Sequence, residues 1–465
     1  MNAVNSVNVK DKYCIHGCLL ANRQMAIRIF YGTLCMKNNI EETIGKYLPI
    51  LMILPLAGLA ELASLYSIQA LLPKLSEVYN IPLNQVGMIL SAEVGFLALA
   101  CYLAARYLTV LGESQSFFYS LLAGGILTLL CATASSWPML VVYRALLGIA
   151  VSGITAAVTV YISEEVSPAL AGIVTGYFIF GNSLGSMSGR VFATLMMEHV
   201  SIDTIFFIFG GVLIAMALAV KLFLPTSRQF VPTPSLQLGA VLKGGLEHFK
   251  NIRVSLCFVI GFILFGSFTS IFNFLAFYLH RPPYELSYTW IGLIPVSFSL
   301  TFFLAPYAAR VALNIGSMNA LSMLIICMMV GAFLTLIAPS LWVFISGIVL
   351  LSVAFFSAHS TVLAWVSSRS PNAKGQATSF YLLCYYSGGA VMGYLNGYLF
   401  SWQGWNAIAA SCLMMLGIGL FICRFIFAKY EKQPQIKKTV SSGEFLIIDT
   451  KCVFILSIME SSFFH

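Results

Sequence analysis

Two glutamates and one arginine interrupt long apolar stretches of the sequence, where ionisable groups are rare. They are Glu61, Glu93 and Arg144. A charged side chain at the centre of a membrane costs about 2.5–3.5 kcal/mol on insertion scales, so it normally faces a partner or water. A carboxylic acid in that setting can take up a proton from one side of a membrane and release it to the other. The two glutamates are therefore candidate proton carriers.

Glu93 and Arg144 lie at similar depths in their apolar stretches. Each is about six or seven residues from one end of its stretch, so at 1.5 Å per residue their depths agree within a few ångströms. Glu61 lies near the middle of another stretch, and either glutamate could pair with Arg144. Such a pair could relay protons, it could be a static ion pair, or one carboxylate could bind a cationic substrate. Arg144 could also be bonded only to backbone carbonyls.

Other polar and aromatic residues in the apolar stretches are candidates for a proton path or a substrate site. His359 could shuttle protons, since imidazole titrates near neutral pH, or it could stay neutral and bond to a neighbouring helix. Aromatic side chains in membrane helices usually pack or face lipid, but a mixed polar and aromatic set can also line a binding site. The candidates for that lining are Gln69, Asn273, Phe272, Tyr381 and Tyr385.

The sequence lacks the motifs of enzymes and of transport driven by nucleotide hydrolysis. It contains no Gly-x-x-x-x-Gly-Lys-Ser/Thr phosphate loop, no cluster of metal-ligand residues and no catalytic triad. We therefore expect no enzyme activity, no cofactor and no metal, and we expect an ion gradient to supply the energy.

The composition indicates that membrane-spanning helices position these residues. Of 465 residues, 59% are hydrophobic and 9% are charged, against about 25% charged in an average soluble domain. Because lipid offers no water to the backbone, apolar runs of about 20 residues must be helices. Twelve runs are predicted: 47–72, 86–107, 115–135, 138–162, 169–195, 204–224, 254–278, 286–308, 317–337, 341–364, 376–399 and 405–427.

The distribution of Lys and Arg predicts the orientation of these helices. Positive charges concentrate before the first run, between the sixth and seventh, and after the twelfth, whereas alternate loops carry few. Cytoplasmic loops are enriched in Lys and Arg, so both termini are predicted to be cytoplasmic. The net charge of +8 is then a topology signal, and no nucleic-acid partner is expected. Five tryptophans fall at outer helix ends, as in an interfacial aromatic belt: Trp137, Trp290, Trp342, Trp402 and Trp405.

The chain divides into two related halves. Pro168 and Gly185 in the first half recur as Pro371 and Gly388, each 203 positions later. Parallel six-helix repeats with a binding site at their interface are one architecture of secondary transporters. The predicted order is a cytoplasmic segment at 1–46, a six-helix bundle at 47–224, a cytoplasmic linker with a surface helix at 225–253, a second bundle at 254–427 and a cytoplasmic tail at 428–465.

The fifth run carries glycines at a spacing that lets two helix backbones approach closely: Gly172, Gly181, Gly185 and Gly189. The spacing alone also fits ordinary helix packing. The order of residues resembles the antiporter motif of major facilitator efflux proteins, which has proline in place of Ser186 and glycine in place of Arg190. The resemblance implies a helix that bends and packs against its counterpart in the other half, and it favours export by antiport.

Other stretches extend this resemblance. Arg144 followed by Gly148 matches the fourth-helix motif of the family, in which the arginine is linked to proton transfer. Blocks such as YRALLGIAVSGITAAVTVYISEEVSP and GNSLGSMSGR resemble the YnfM-type inner-membrane transport proteins of bacteria, among the drug and sugar efflux permeases. The resemblance covers roughly residues 50–425. It implies the major facilitator fold in a lipid bilayer, a monomer, and a small-molecule substrate and protons as partners.

The loop after the second run departs from the family's pattern. Family members carry Gly-x-x-x-Asp-Arg-x-Gly-Arg-Arg/Lys there, and the charges lock the inner gate. This chain has Arg106, Thr109, Gly112 and Glu113 in the corresponding gating loop, and only Gly112 matches. The resemblance therefore implies a weakened charge latch, for which Arg106 and Glu113 could substitute.

The residues and the resemblance together predict an all-α membrane protein of twelve transmembrane helices in two six-helix bundles. Its predicted function is export of a small organic molecule by proton antiport, through alternating access, across the inner membrane of a bacterium. Import or symport of a small nutrient is the first alternative. A transport-inactive membrane sensor is the second, and the altered loop after the second run suggests it.

Overall fold

The computed structural model describes residues 47–103, 110–227, 251–369 and 374–427. Nearly all of these residues are helical. The predicted cytoplasmic segment and tail, and the surface helix of the linker, lie outside the described residues.

The helices are numbered in chain order, six in each half. Those of the first half are α1 Tyr47–Val78, α2 Leu83–Leu103, α3 Glu113–Cys131, α4 Trp137–Glu165, α5 Pro168–Met197 and α6 Ile202–Phe223. Those of the second half are α7 Ile252–Leu279, α8, α9 Ser317–Ile337, α10 Leu341–Arg369, α11 Lys374–Gln403 and α12 Trp405–Phe421, which continues as a π-helical turn at Ile422–Phe427. Helix α8 has three consecutive pieces, Tyr288–Leu293, a 3₁₀ segment Ile294–Ser299 and Leu300–Ile315.

Nine helices in the described part are long and apolar enough to cross a membrane. The other three are α5, which carries Arg190 among many Gly and Ser, α8, which the 3₁₀ segment interrupts at Pro295, and α11, which is rich in Gly and Tyr. All three are flanked in the chain by spanning helices. The predicted all-α fold of twelve helices is therefore confirmed in the described part, and α1 extends beyond its predicted end at 72.

The two halves repeat one packing contact. Gly185 of α5 lies against the backbone of Leu59 on α1, and Gly388 of α11 lies against the backbone of Phe262 on α7, in each case 203 positions later. An added Cβ at either glycine would collide with a backbone carbonyl, so only glycine permits the contact. The repeat read from the sequence thus corresponds to one helix pair in each half.

The halves touch at the end of the bundle at which α1 finishes, which we name the outer end, following the predicted orientation. They also touch along α2 and α11, where the Tyr102 and Phe380 ring centroids are 5.4 Å apart. Glu198, just after α5, accepts hydrogen bonds from the Thr289 backbone N–H at 3.0 Å and from its hydroxyl at 2.7 Å. Gln69 of α1 donates to the Asn273 side chain of α7 at 2.5 Å. Toward the inner end of α5, no described atom lies within 4 Å of the position that a Cβ would take at Gly172. The halves are therefore in contact at the outer end, and Gly172 near the inner end of α5 has open space beside it.

The predicted tryptophan belt is only partly present. Three of its members are exposed: Trp290, Trp342 and Trp402. Trp137 and Trp405 are buried instead, and the Trp405 ring stacks on Tyr278 with 4.8 Å between centroids. The prediction was wrong for these two because a position at a helix end does not show which way the side chain faces.

Candidate transport site

Arg144 and Glu93 form an ion pair in the interior of the first half. Glu93 Oε2 accepts from Arg144 Nε at 3.0 Å and lies 2.8 Å from Nη2, and both side chains are fully buried. Gly148, one turn along α4, makes this contact possible, because a Cβ there would collide with the Glu93 backbone carbonyl. The arginine and the glycine of the fourth-helix motif therefore act together: the glycine brings α4 against α2, and the arginine then reaches the carboxylate.

Arg144 also bonds the backbone of α1. Its Nη2 donates to the Leu65 carbonyl at 2.9 Å and to the Ser64 carbonyl at 3.4 Å. Glu93 Oε1 and Arg144 Nη1 are buried and have no hydrogen-bond partner among the described residues. The pair thus uses one carboxylate oxygen, and the two carbonyls hold the arginine in place.

Glu61 is not part of this pair. It is 2% exposed on α1, its Oε2 is buried without a hydrogen-bond partner, and no cation in the described part pairs with it. Of the two carboxylates considered as partners of Arg144, the structure brings only Glu93 to it. Glu61 is instead an isolated acid in the core of the first half.

Arg190 is the buried polar residue whose role the sequence reasoning missed, since it was treated as part of a packing motif. It is 3% exposed. Its Nε donates to Gln69 Oε1 at 2.7 Å, and its Nη1 donates to the hydroxyl of Ser186 at 2.7 Å and to the Ser186 carbonyl. The guanidinium lies over the Tyr66 ring, 4.3 Å from the centroid, with Phe298 at 5.5 Å. A charge inside a glycine-rich membrane helix was the signal that could have identified it.

The Arg190 network continues into the second half. Gln69 accepts from Arg190 and donates to Asn273. At the offset of 203 that relates α1 to α7, Gln69 corresponds to Phe272, and Asn273 is the next residue. The Phe272 ring lies 6.0 Å from the guanidinium. Three predicted lining residues, Gln69, Asn273 and Phe272, are therefore together at the interface of the halves.

A cavity of about 30 Å³ lies beside this network, on the side of the outer end. Residues from α1, α5, α7 and α8 line it: Gln69, Ala70, Arg190, Thr194, Phe272, Leu275, Ala276, Tyr288, Ile291, Gly292 and Pro295. It is the space between the halves at which polar side chains, aromatic rings and a charge converge.

His359, Tyr381 and Tyr385 form a second cluster, within the second half. His359 Nδ1 lies 3.0 Å from the Tyr381 hydroxyl, and its ring lies 4.3 Å from the Tyr385 ring. Tyr385 in turn stacks on Phe265 of α7 at 4.3 Å. No carboxylate bonds His359 in the described part, so the geometry matches the reading in which the histidine bonds to a neighbouring helix.

The comparisons with known proteins agree with this architecture. A family model described as Major Facilitator Superfamily matches residues 55–393. The chain belongs to the major facilitator superfamily. Its predicted family membership is therefore confirmed, and it is a multi-pass membrane transporter.

Several relatives of this superfamily member are named as transporters. The inner membrane transport protein YnfM of Escherichia coli is 32% identical over 366 residues, which cover 79% of this chain and 87% of that protein. An uncharacterized transporter of Buchnera aphidicola subsp. Schizaphis graminum is 29% identical over 371 residues, 80% of this chain and 89% of that protein.

Solved structures of the superfamily show the same fold. The nucleoside transporter NupG matches with a TM-score of 0.65 and 14% identity, over 83% of this chain and 100% of that one. The human organic anion transporter MFSD10 matches with a TM-score of 0.62 and 17% identity, over 81% and 99%. At these identities the likeness concerns the fold alone.

In this superfamily member the α5 glycines do not pack as the antiporter resemblance implied. Gly181, Gly185 and Gly189 lie against the backbone of α1 in the same half, at residues spaced by four: Pro55, Leu59 and Ala63. The expected packing against the counterpart helix of the other half was wrong for these glycines. The outer end of α5 contacts the other half instead, where Gly292 of α8 lies against Thr194.

The gating loop after α2 is partly described. Arg106 and Thr109 lie outside the described residues. Gly112 has φ +77°, and Gly316, in the equivalent loop before α9, has φ +87°, a region in which a side chain is strained. Glu113 follows in the first turn of α3, is 4% exposed, and its Oε2 has no hydrogen-bond partner in the described part. Gly112 therefore occupies a position whose backbone conformation favours glycine.

Proposed function

We propose that the protein exports a small organic molecule from a bacterial cell in exchange for protons, by alternating access at the interface of its two halves. Glu61 carries this proposal, because it is a buried acid without an ion-pair partner in the described part. An isolated ionised carboxylate away from water is so costly that such a group becomes neutral instead. Glu61 therefore holds a proton while its surroundings are dry and releases it when a change of conformation admits water.

The Glu93–Arg144 pair supplies the second part of the coupling. Glu61 and Ser64 lie three residues apart on α1, on the same face of the helix. Arg144 bonds the Ser64 carbonyl as well as Glu93. A proton that leaves Glu61 would give Arg144 a second carboxylate to interact with, and a shift of Arg144 would change its contacts with both α1 and α2.

The direction of transport rests on the residue order of α5, which resembles the antiporter motif of efflux proteins. The location in an inner membrane is supported by the name of the Escherichia coli relative, an inner membrane transport protein. We take a monomer as the functional unit, because the cavity and the polar network both lie between the halves of one chain.

Everted membrane vesicles that contain the protein test this proposal. Respiration acidifies the lumen, quenching a pH-sensitive acridine dye, and compounds are then added at the cytoplasmic face. Antiport predicts that a substrate restores fluorescence, since protons leave as it enters. Glu61→Gln should abolish this response, whereas Glu77→Gln on the same helix, in an exposed pair with Lys74, should not. An unchanged rate and pH dependence in Glu61→Gln would remove the proton-carrier role.

Symport is a second candidate, and the charge of Arg190 favours it. No acid in the described part pairs with this buried cation. When Glu61 is protonated, a net positive charge remains at the interface, which a negative species moving with the proton would balance. In the same vesicles symport gives the opposite sign: the substrate carries protons inward and quenches the dye further.

A further inference from the structure

Arg190 is a buried cation without a counter-ion. The buried acid of α2, Glu93, is already bound by Arg144, and the described residues bring no carboxylate to Arg190. Neutral acceptors and aromatic faces hold it instead, through Gln69, Ser186 and the Tyr66 ring. A buried charge that lacks an opposite charge is costly, and such groups inside membrane helices mark substrate or ion pathways.

The surroundings of Arg190 offer more hydrogen-bond donors than acceptors. Arg190 Nη2 makes no hydrogen bond to a residue that the structure describes. Asn273 Nδ2 is also buried without a partner in the described part. The side-chain oxygens of Gln69 and Asn273 are each already accepting a bond, from Arg190 and from Gln69. A ligand that completes this site must bring acceptor oxygens and a negative charge. Because Nε and Nη1 are already bonded to Gln69 and Ser186, a carboxylate oxygen would accept from Nη2.

The cavity beside Arg190 has the walls of an organic ligand site. Its volume in this conformation is about 30 Å³, room for about two water molecules, so an organic ligand enters only when the halves move apart. Phe272 and Tyr288 provide aromatic walls, and Gln69 and Thr194 add polar groups. An inorganic anion would leave these aromatic surfaces unused, so the walls favour an anion with a flat apolar body.

We propose that the transported molecule is an organic carboxylate, bound between the halves with its anionic group on Arg190 and its apolar body against Phe272 and Tyr288. The proposal rests on the transport function proposed above and gives its substrate class. Arg190 and Gln69 belong to the first half, whereas Asn273 and Phe272 belong to the second. Separation of the halves at the outer end therefore removes half of the site, and binding and release follow from the conformational change itself.

Equilibrium binding to the purified full-length protein in nanodiscs tests this proposal without requiring transport. The probes are three molecules of one shape and different charge: benzoate, benzamide and benzylammonium. We expect saturable binding of benzoate, at least tenfold weaker binding of the neutral and cationic probes, and at least a tenfold loss of benzoate affinity in Arg190→Gln. Arg190→Lys should restore part of that affinity, because it returns the charge without the guanidinium.

Gln69→Glu gives a second test that does not depend on removing the arginine. It would place a carboxylate at the position 2.7 Å from Arg190 Nε, where it acts as an internal competitor. The N–H that donates to Asn273 Oδ1 is lost, but a flip of the Asn273 amide presents Nδ2, which now lacks a partner in the described part, to the second carboxylate oxygen. We expect a normal fold and at least a tenfold loss of benzoate affinity. Gln85→Glu, the same substitution at an exposed position at the start of α2, should leave the affinity unchanged.

Several results would overturn the proposal. They are the absence of saturable benzoate binding, equal binding of the three probes, or full benzoate affinity in both Arg190→Gln and Gln69→Glu. Competition by anionic phosphatidylglycerol but not by soluble carboxylates would assign the site to a lipid headgroup and also contradict the proposal. Proton exchange driven only by neutral or cationic compounds would refute the carboxylate site and leave proton-coupled transport standing. Benzoate binding without any proton movement would leave the carboxylate site standing and refute proton-coupled transport.

Discussion

Replacement of Glu93 by glutamine should leave Arg144 as an unpaired buried charge. Glutamine keeps the shape of the side chain and an oxygen that can accept from Arg144, but it removes the negative charge now 2.8 Å from Nη2. Breaking a buried ion pair by removing one partner costs about 3–5 kcal/mol. The Leu65 and Ser64 carbonyls continue to accept from Arg144, so we expect a cost at the lower end, about 3 kcal/mol. Unfolding of the purified protein in mixed detergent micelles measures it.

The chain contains a matched control for this measurement. Lys74 and Glu77 form a pair at 3.2 Å whose side chains are 45% and 59% exposed. Exposed pairs contribute about 0.2–1 kcal/mol, so Glu77→Gln should cost less than about 1 kcal/mol. The double variant Glu93→Gln/Arg144→Gln should be more stable than Glu93→Gln, because it leaves no orphaned charge. Equal costs for Glu93→Gln and Glu77→Gln would refute this account of the pair.

Three further outcomes follow from the packing and polar contacts. Gly185→Leu should lower stability by at least about 1–3 kcal/mol through overpacking and abolish transport, whereas Gly176→Leu, with no atom within 4 Å of its Cβ position, should do neither. Hydrogen bonds from Thr289 lower the pKa of Glu198 from its ordinary value. The contact therefore stabilises the outer-closed form at pH values above the ordinary carboxyl range, and this stabilisation is lost as the pH falls through the lowered pKa. Cysteine labelling from the outer side should rise at acid pH in the wild type, and at neutral pH in Glu198→Gln. His359→Gln should keep the pH dependence of transport in the vesicle assay, because His359 is bonded within the second half. A shifted pH profile in this variant would show that His359 takes part in proton transfer.

The helices were predictable because hydropathy and the absence of water in a bilayer leave few choices for the backbone. Residues 47–72 were predicted as one run, and the observed α1 includes all of it and continues to Val78. The extension could not be seen in hydropathy, since the last turns carry Lys74 and Glu77, which face outward and pair with each other. Likewise, the break in α8 at Pro295 depends on local backbone bonding rather than on average apolarity.

The candidate site was predictable where depth alone decides a contact. Glu93 and Arg144 are at similar depths on different helices, and they do meet. Glu61 was an equal candidate by charge and position, but the direction in which its side chain faces depends on how α1 is rotated in the bundle. Arg190 shows the same limit: it follows Gly189, which packs on the α1 backbone, and the sequence alone does not show that its side chain reaches Gln69 and Tyr66 of α1.

The central claim is that a proton on Glu61 is coupled to substrate movement, and proteoliposomes test it most directly. The measurement compares substrate-induced proton flux with substrate counterflow in the wild type and in Glu61→Gln, using a compound identified in the vesicle screen. Coupling at Glu61 predicts that Glu61→Gln still exchanges labelled for unlabelled substrate but moves no protons. Proton flux at the wild-type rate in Glu61→Gln would contradict it.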